Sequence, residues 1–298
     1  MNSFFRTDLA VELIEEEKGL PEGVTHISEL GKGRFLVERI TVSEKGSILI
    51  RKPQGKYFTV SCGNVAELDP RERDLLTDLL SELLKELVFG ACHKKDKKSI
   101  GILVVGLGNE KMTPDAIGPK TISLVEMTRS LRETDRELFY KLGCCSVSGF
   151  TPGAMGQTGI ETAELVSGAI KASGADVVIA IDALAACSAE RLGASIQLSD
   201  SGIHPGSGVG NRRKGLNLEN LGVPVISIGM PTVVDSNVLI RDFLIKNAAD
   251  VDIKNVEDEL GGRENYFVAP KDCDAIVEQA SRVFAATVNK GFGIKIDR

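Results

Sequence analysis

Two apolar runs, "IGILVVG" from Ile100 and the "VVIAI" of "ADVVIAID" from Ala175, constrain the fold most tightly. A strand with water on one side alternates apolar and polar residues. A run without alternation is a strand covered on both faces, and such strands belong to parallel sheets whose crossover helices lie above and below. "CCSVSGF", "ASIQLS" and "VPVISIG" read as further strands. "ISLVEMTRSL", "GIETAELVSGAIKAS", "DSNVLIRDFLIKNAA" and "DCDAIVEQASRVFAATVN" read as helices. This alternation predicts an α/β fold on a mostly parallel sheet with helices on both faces. Ahead of it, residues 33–61 form a small β-rich part: "RFLVERITV", "SILIRK" and "KYFTVSC", broken by Gly46 and by Pro53–Gly55. A helix follows in "LDPRERDLLTDLLSELLKELVF", with Asp69 as its cap and Pro70 at its first position. "HKKDKKS" and residues 250–265 read as polar loops.

A chain of 298 residues makes one large domain or two small ones. Its net charge of −6 excludes a broad basic field for nucleic acid. No apolar stretch is long enough to span a membrane, and the first residues lack a secretory signal. Six cysteines, scattered without a C-x-x-C pair, read as free thiols of a reducing compartment. His26, His93 and His204 lie far apart, so neither a zinc nor a nickel site is expected, and no cofactor.

In open α/β sheets, sites collect where strands end at their carboxyl side. Two such ends carry an aspartate: Asp115, after "ILVVGLGN", and Asp182, which closes "VVIAID". Gly106 and Gly108 let the chain turn sharply, and Pro114 stiffens the approach to Asp115. Two facing carboxylates suit amide hydrolysis. Close like charges keep one protonated; the ionised one takes a proton from water, and the protonated one polarises the carbonyl. The same residues could instead cap the next helix and a turn. A third feature is "SDSGIHPGSGVGNRRKG", Ser199–Gly215. Its glycines could cradle phosphate, although they do not form G-x-G-x-x-G. Its "DSG" matches the D-[ST]-G of pepsin-like proteases, but the second copy and the β-rich chain of a pepsin are missing. Or it is a substrate loop whose arginines meet acidic side chains. No G-x-S-x-G elbow is present.

Taken together, "RTDLAVE" at Arg6, "VVGLGN…TPDAIGPK" at Val104, "TGIETAELV" at Thr158, "VIAIDALAA" at Val178, "IQLSDSGIHPGSGVGN" at Ile196 and "GVPVISIGMPTVVD" at Gly222 resemble the spore germination protease family. These endopeptidases degrade small acid-soluble spore proteins. The likeness spans most of residues 6–240 and weakens after about residue 245, where longer members carry an extra segment. It implies a three-layer α/β/α sandwich, phosphorylase/hydrolase-like and related to the hydrogenase maturation proteases. The G-x-G-N…D-x-x-G loop of those proteases is matched by Gly106, Gly108, Asn109, Asp115 and Gly118. It also implies a metal-independent catalytic pair at Asp115 and Asp182, a homotetramer, a zymogen form, and a place in the cytoplasm of the forespore or spore core. Small acid-soluble spore proteins are the implied substrate, with no direct contact to nucleic acid and no membrane. Family substrates are cut after an acidic residue, before an apolar one, with alanine next and glutamate further on. Thr7, Asp8, Leu9, Ala10, Val11 and Glu12 fit that pattern. Self-cleavage is therefore expected between Asp8 and Leu9, with residues 1–8 a propeptide and 9–298 a single catalytic domain. Arg212 or Arg213 is expected to receive the acidic side chain. The rival readings are a metal-dependent maturation protease or a phosphorylase on the same fold, or a non-catalytic binding protein.

Overall fold

The computed structural model of the chain describes residues 7–15, 19–92, 100–206, 214–247 and 266–294, with backbone alone at 241–243 and 245–247. Among these residues one sheet of nine strands forms: β1 (Val24–Leu30), β2 (Leu36–Val42), β3 (Gly55–Ser61), β4 (Gly101–Gly106), β5 (Ser146–Phe150), β6 (Val177–Ala186), β7 (Ser195–Ser199), β8 (Val225–Asp235) and β9 (Phe267–Val268). The helices are α1 (Ala10–Glu15), α2 (Glu44–Ile50), α3 (Pro70–Ala91), α4 (Ile117–Ile122), α5 (Arg129–Thr134), α6 (Arg136–Leu142), α7 (Met155–Thr158), α8 (Thr162–Ser173), α9 (Leu218–Leu221), α10 (Ser236–Asn247) and α11 (Cys273–Phe292). Strands lie in the order β1-β2-β3-β7-β8-β6-β4-β5, and β9 pairs with the far end of β8.

The sheet is mixed, not mostly parallel. Only β8, β6, β4 and β5 run parallel to their neighbours in the way the apolar runs imply. The β-rich part is a meander, β1-β2-β3, and β3 joins it to β7 in antiparallel register, Thr59 opposite Gln197. β7 is antiparallel to β8 as well. Alternation then decides the layers. Ile102, Val104, Ile179, Ile181, Ile196 and Ile228 point to one face, under α3, α4 and α11. Leu103, Val105, Val178 and Ala180 point to the other, under α8 and α9. On that same side, Ile40, Val42 and Tyr57 of the meander are covered by Leu9, Ala10, Val11 and Ile14.

Local chemistry explains the elements. Asp69 accepts from the Glu72 N–H while the Glu72 carboxylate accepts from the Asp69 N–H, a capping box that starts α3 at Pro70 as expected. "SILIRK" is corrected: most of it lies in α2. Short apolar runs fit either period. Here Ser43 decides the matter by accepting from the Gly46 N–H, and Arg51 closes the helix at φ 54°. "ISLVEMTRSL" is corrected too, being two short helices with 123–128 between them. Long-range bonds draw that stretch out of helix: Thr128 Oγ1 donates to the Cys145 carbonyl and accepts from the Val147 N–H, and Glu126 N–H donates to Asn289. The loops read at 93–99 and 250–265 lie outside the described residues.

Candidate active site

β4 stops at Gly106, opposite Ile181, and the chain turns off the sheet there. The turn is tight enough to need glycine at three places. A Cβ on Gly106 would meet the Gly118 carbonyl oxygen at 2.4 Å, and one on Gly118 would meet the Leu107 carbonyl oxygen at 2.2 Å. Gly108 has φ +107°, and its Cβ would meet the Asp115 carbonyl oxygen at 2.0 Å. The start of α4 therefore lies directly against the strand, and the loop from Leu107 folds back over Asp115. Asn109 N–H donates to the Asp115 carbonyl at 3.0 Å, and Asp115 N–H donates to the Met112 carbonyl at 2.8 Å. Thr113–Asp115 forms a 3-10 turn, with Pro114 fixing its φ. The cap position of α4 is Ala116, not Asp115.

A bulge in β8 anchors the same loop. Leu184 pairs with Pro231 and Ala185 with Val233, which leaves Thr232 unpaired. Thr232 Oγ1 donates to the Pro114 carbonyl at 2.6 Å. Bulges next to sites re-aim one side chain in this way.

Asp182 is not the end of its strand, a correction to the sequence reading: β6 runs on to Ala186 because residues 183–186 keep pairing with β8. The neighbour on the other side, β4, does end there, and Leu107 N–H donates to the Ile181 carbonyl at 2.8 Å. Asp182 thus sits at the margin where the Asp115 loop leaves the sheet, 6% exposed, with Oδ1 accepting from the Ala183 N–H. Asp115 and Asp182 line one cleft of about 460 Å³.

Asp8 lines that cleft as well. Its N–H donates to the Ala185 carbonyl at 3.0 Å, and its carboxylate accepts from the Ala185 N–H at 2.9 Å. Leu9, Ala10 and Val11 follow, buried against the sheet. Ala10 N–H donates to Gln197 Oε1 at 2.7 Å, and Gln197 Nε2 donates to the Asp8 carbonyl at 2.7 Å. Lys52 Nζ donates to the same carbonyl at 2.9 Å. Its ammonium is enclosed, and burial draws its pKa below the usual lysine range against the carboxylates of Asp8 and Glu12, which raise it. Glu12 is buried; desolvation pushes its carboxyl up, opposed by bonds from the Thr7 hydroxyl and the Cys187 N–H and by Arg191. Glu12 is the glutamate of the cleavage pattern read in the sequence; Lys52 and Gln197 were not singled out there, and the sequence holds no local signal for them. They come from distant stretches that β3–β7 pairing brings together.

The base of the Gly-rich loop also borders the cleft through Ile203, His204, Pro205 and Gly206. Its two ends are tied by Ile203 and Leu216, each N–H donating to the other's carbonyl. Arg212 and Arg213 lie outside the described residues, as does His93. The six cysteines are free thiols, four of them buried. Among the described residues no group of three or more His, Cys, Asp or Glu is arranged to hold a metal ion, and no helix is long and apolar enough to cross a membrane.

A peptidase-family sequence profile, described as Germination protease, matches residues 8–251. The match takes in all of the cleft's lining except Phe267 and Ala269 and defines the chain as a protease, a hydrolase of peptide bonds. A germination protease of Caldanaerobacter subterraneus is 38% identical over 95% of this chain and 93% of its own length. One of Clostridium tetani is 36% identical over 95% and 94%, and one of Priestia megaterium is 41% identical over 81% and 67%. The chain belongs to the germination protease family, as the sequence motifs imply.

Proposed function

We propose that this protein is an endopeptidase of spore germination that is made as a zymogen, cuts itself between Asp8 and Leu9, and then cuts small acid-soluble spore proteins. Asp115 and Asp182 are its catalytic pair, without a metal. The observation that carries the reading is the seat of Asp8 in the cleft that both aspartates line, with Leu9 buried next to it, in a chain of this family. One carboxylate, ionised, takes a proton from water as it attacks the Asp8 carbonyl carbon. Its partner, kept protonated by the neighbouring charge, hands a proton to the Leu9 nitrogen as the peptide bond breaks.

The Ala185 N–H meets the acidic side chain before the cut. Receipt of that acidic side chain by Arg212 or Arg213 completes the proposal for acid selection. It fails if Arg212→Ala and Arg213→Ala both keep the preference for acid over amide. Residues 1–8 are then the propeptide and 9–298 one catalytic domain. Helices on both faces of the sheet support a phosphorylase/hydrolase-like sandwich related to the hydrogenase maturation proteases. A homotetramer in the forespore or spore core rests on the family resemblance.

The test is to incubate the full chain and its Asp115→Asn and Asp182→Asn variants with a small acid-soluble spore protein, with and without EDTA, and weigh all products. A new terminus at Leu9 and a single substrate cut after Asp or Glu, both lost in the variants and unchanged by EDTA, are expected. Cutting abolished by EDTA returns the protein to the metal-dependent reading. Cutting that survives both substitutions removes the pair.

A further inference from the structure

The Asp8 carbonyl is held by two side-chain donors, Lys52 Nζ at 2.9 Å from the loop before β3 and Gln197 Nε2 at 2.7 Å from β7. The orientation of the Gln197 amide is not arbitrary. Ala10 N–H can only donate, so Oε1 must face it, and Nε2 is thereby turned to the carbonyl. Register adds the third element. Gln197 and Asp182 are both opposite Gly229, one on each side of β8. They share a face of the sheet, two strand spacings or about 10 Å apart, with the Leu184 side chain lying over Gly229 between them. The residues flanking the bond are held too: Asp8 by Ala185 on both its N–H and its carboxylate, and Leu9 N–H by Thr7 Oγ1 at 2.9 Å. A carbonyl can take two donors; here both are side chains from distant stretches, and Lys52 reaches the Thr7 carbonyl as well, at 3.4 Å. Two convergent donors on the carbonyl whose oxygen gains charge are the arrangement that stabilises a tetrahedral oxyanion.

We infer that Lys52 and Gln197 are catalytic residues: they form the oxyanion site for the bond cut in self-cleavage. This rests on the proposed cut between Asp8 and Leu9. Water's oxygen bonds to the Asp8 carbonyl carbon and its proton passes to the ionised aspartate. The carbonyl π pair moves onto oxygen, where the Lys52 and Gln197 N–H groups receive it. On collapse the C–N bond breaks, the pair goes to the Leu9 nitrogen, and the protonated aspartate supplies its proton. The products are the Asp8 carboxyl and the Leu9 amine. Polarising the carbonyl thus falls to Lys52 and Gln197, and the two aspartates are left with the protons.

Full-length Lys52→Met and Gln197→Glu chains test it. Glu at 197 keeps the acceptor for Ala10 N–H and nearly the same volume while removing the donor. Two readouts are taken: the first-order rate at which the chain starting at Leu9 appears, by intact mass, and exchange protection of the Leu9 and Ala10 amides in an Asp115→Asn background. The expected result is a rate lower by about 10²–10³-fold for each variant with protection retained, since one lost oxyanion donor costs that much. Rates within about threefold of wild type overturn the inference. So does a rate that falls only as protection falls, which makes both residues anchors of the segment. A wild-type chain that never yields Leu9 as its first residue, from neutral to acid pH, sinks the self-cleavage reading itself, and this inference with it.

Discussion

Gly118→Ala isolates the close approach that sets Asp115. Gly118 lies in α4, where alanine is favoured by about 1 kcal/mol. Its added Cβ would face three backbone atoms: the Leu107 carbonyl oxygen at 2.2 Å, Leu107 N at 2.5 Å and the Ile181 carbonyl oxygen at 2.6 Å. None can rotate away, and the nearest is well inside the 3.0 Å below which real Cβ atoms essentially never come. The helix must therefore back off the sheet by close to 1 Å, a rough figure taken from that shortfall. Overpacking of this kind costs up to about 3 kcal/mol. Less the helix gain, the net loss is roughly 2 kcal/mol. Asp115 is carried with α4, and a misplacement of about 1 Å costs on the order of 10²-fold in rate. Urea unfolding measures the first effect and the rate of cleavage after Asp8 the second. Gly168→Ala is the control. It lies inside α8 with nothing within 4 Å of its Cβ, so it should gain about 0.5–1 kcal/mol and leave the rate alone. A Gly118→Ala protein as stable as wild type that cleaves within twofold would refute the claim that this contact positions Asp115.

Three further outcomes are expected. Thr232→Val removes the hydroxyl bond to the Pro114 carbonyl and should lower the cleavage rate about tenfold through a looser Asp115, with little change in KM for a peptide substrate. Because burial raises the Glu12 pKa, the docked segment favours the protonated form. Exchange protection of residues 10–14 should be greatest below the ordinary glutamate range and fall as pH rises through the raised value, and Glu12→Gln should flatten that dependence. Asp69→Ala breaks the capping box of α3 and should cost about 1 kcal/mol in urea unfolding without touching the rate.

Much of the sheet's centre was legible because β4 and β6 bury both faces and so carry no polar alternation. The start of α3 was legible because its cap and proline are adjacent in sequence. The mixed character of the sheet was not, since strand direction is set by which strand β3 meets, and β7 lies more than 130 residues away. Asp115 and Asp182 could be picked out because each follows a buried strand run. That Asp182 is interior to β6 could not, because Ala183–Ala186 read equally well as the start of a helix. Lys52 and Gln197 were invisible for a different reason: a lysine after a short apolar run and a glutamine in a strand are ordinary until the N-terminal segment lies across them.

That placement of Asp8 gives the proposed self-cleavage a definite kinetic order. A bond already seated in the cleft of its own chain is present at a constant local concentration, whatever the dilution. Its proposed cleavage should be first order in protein, with no lag on dilution. A cell could not time such an event by supplying or withholding substrate; on the proposed reading the timing would lie with the state of the cleft itself.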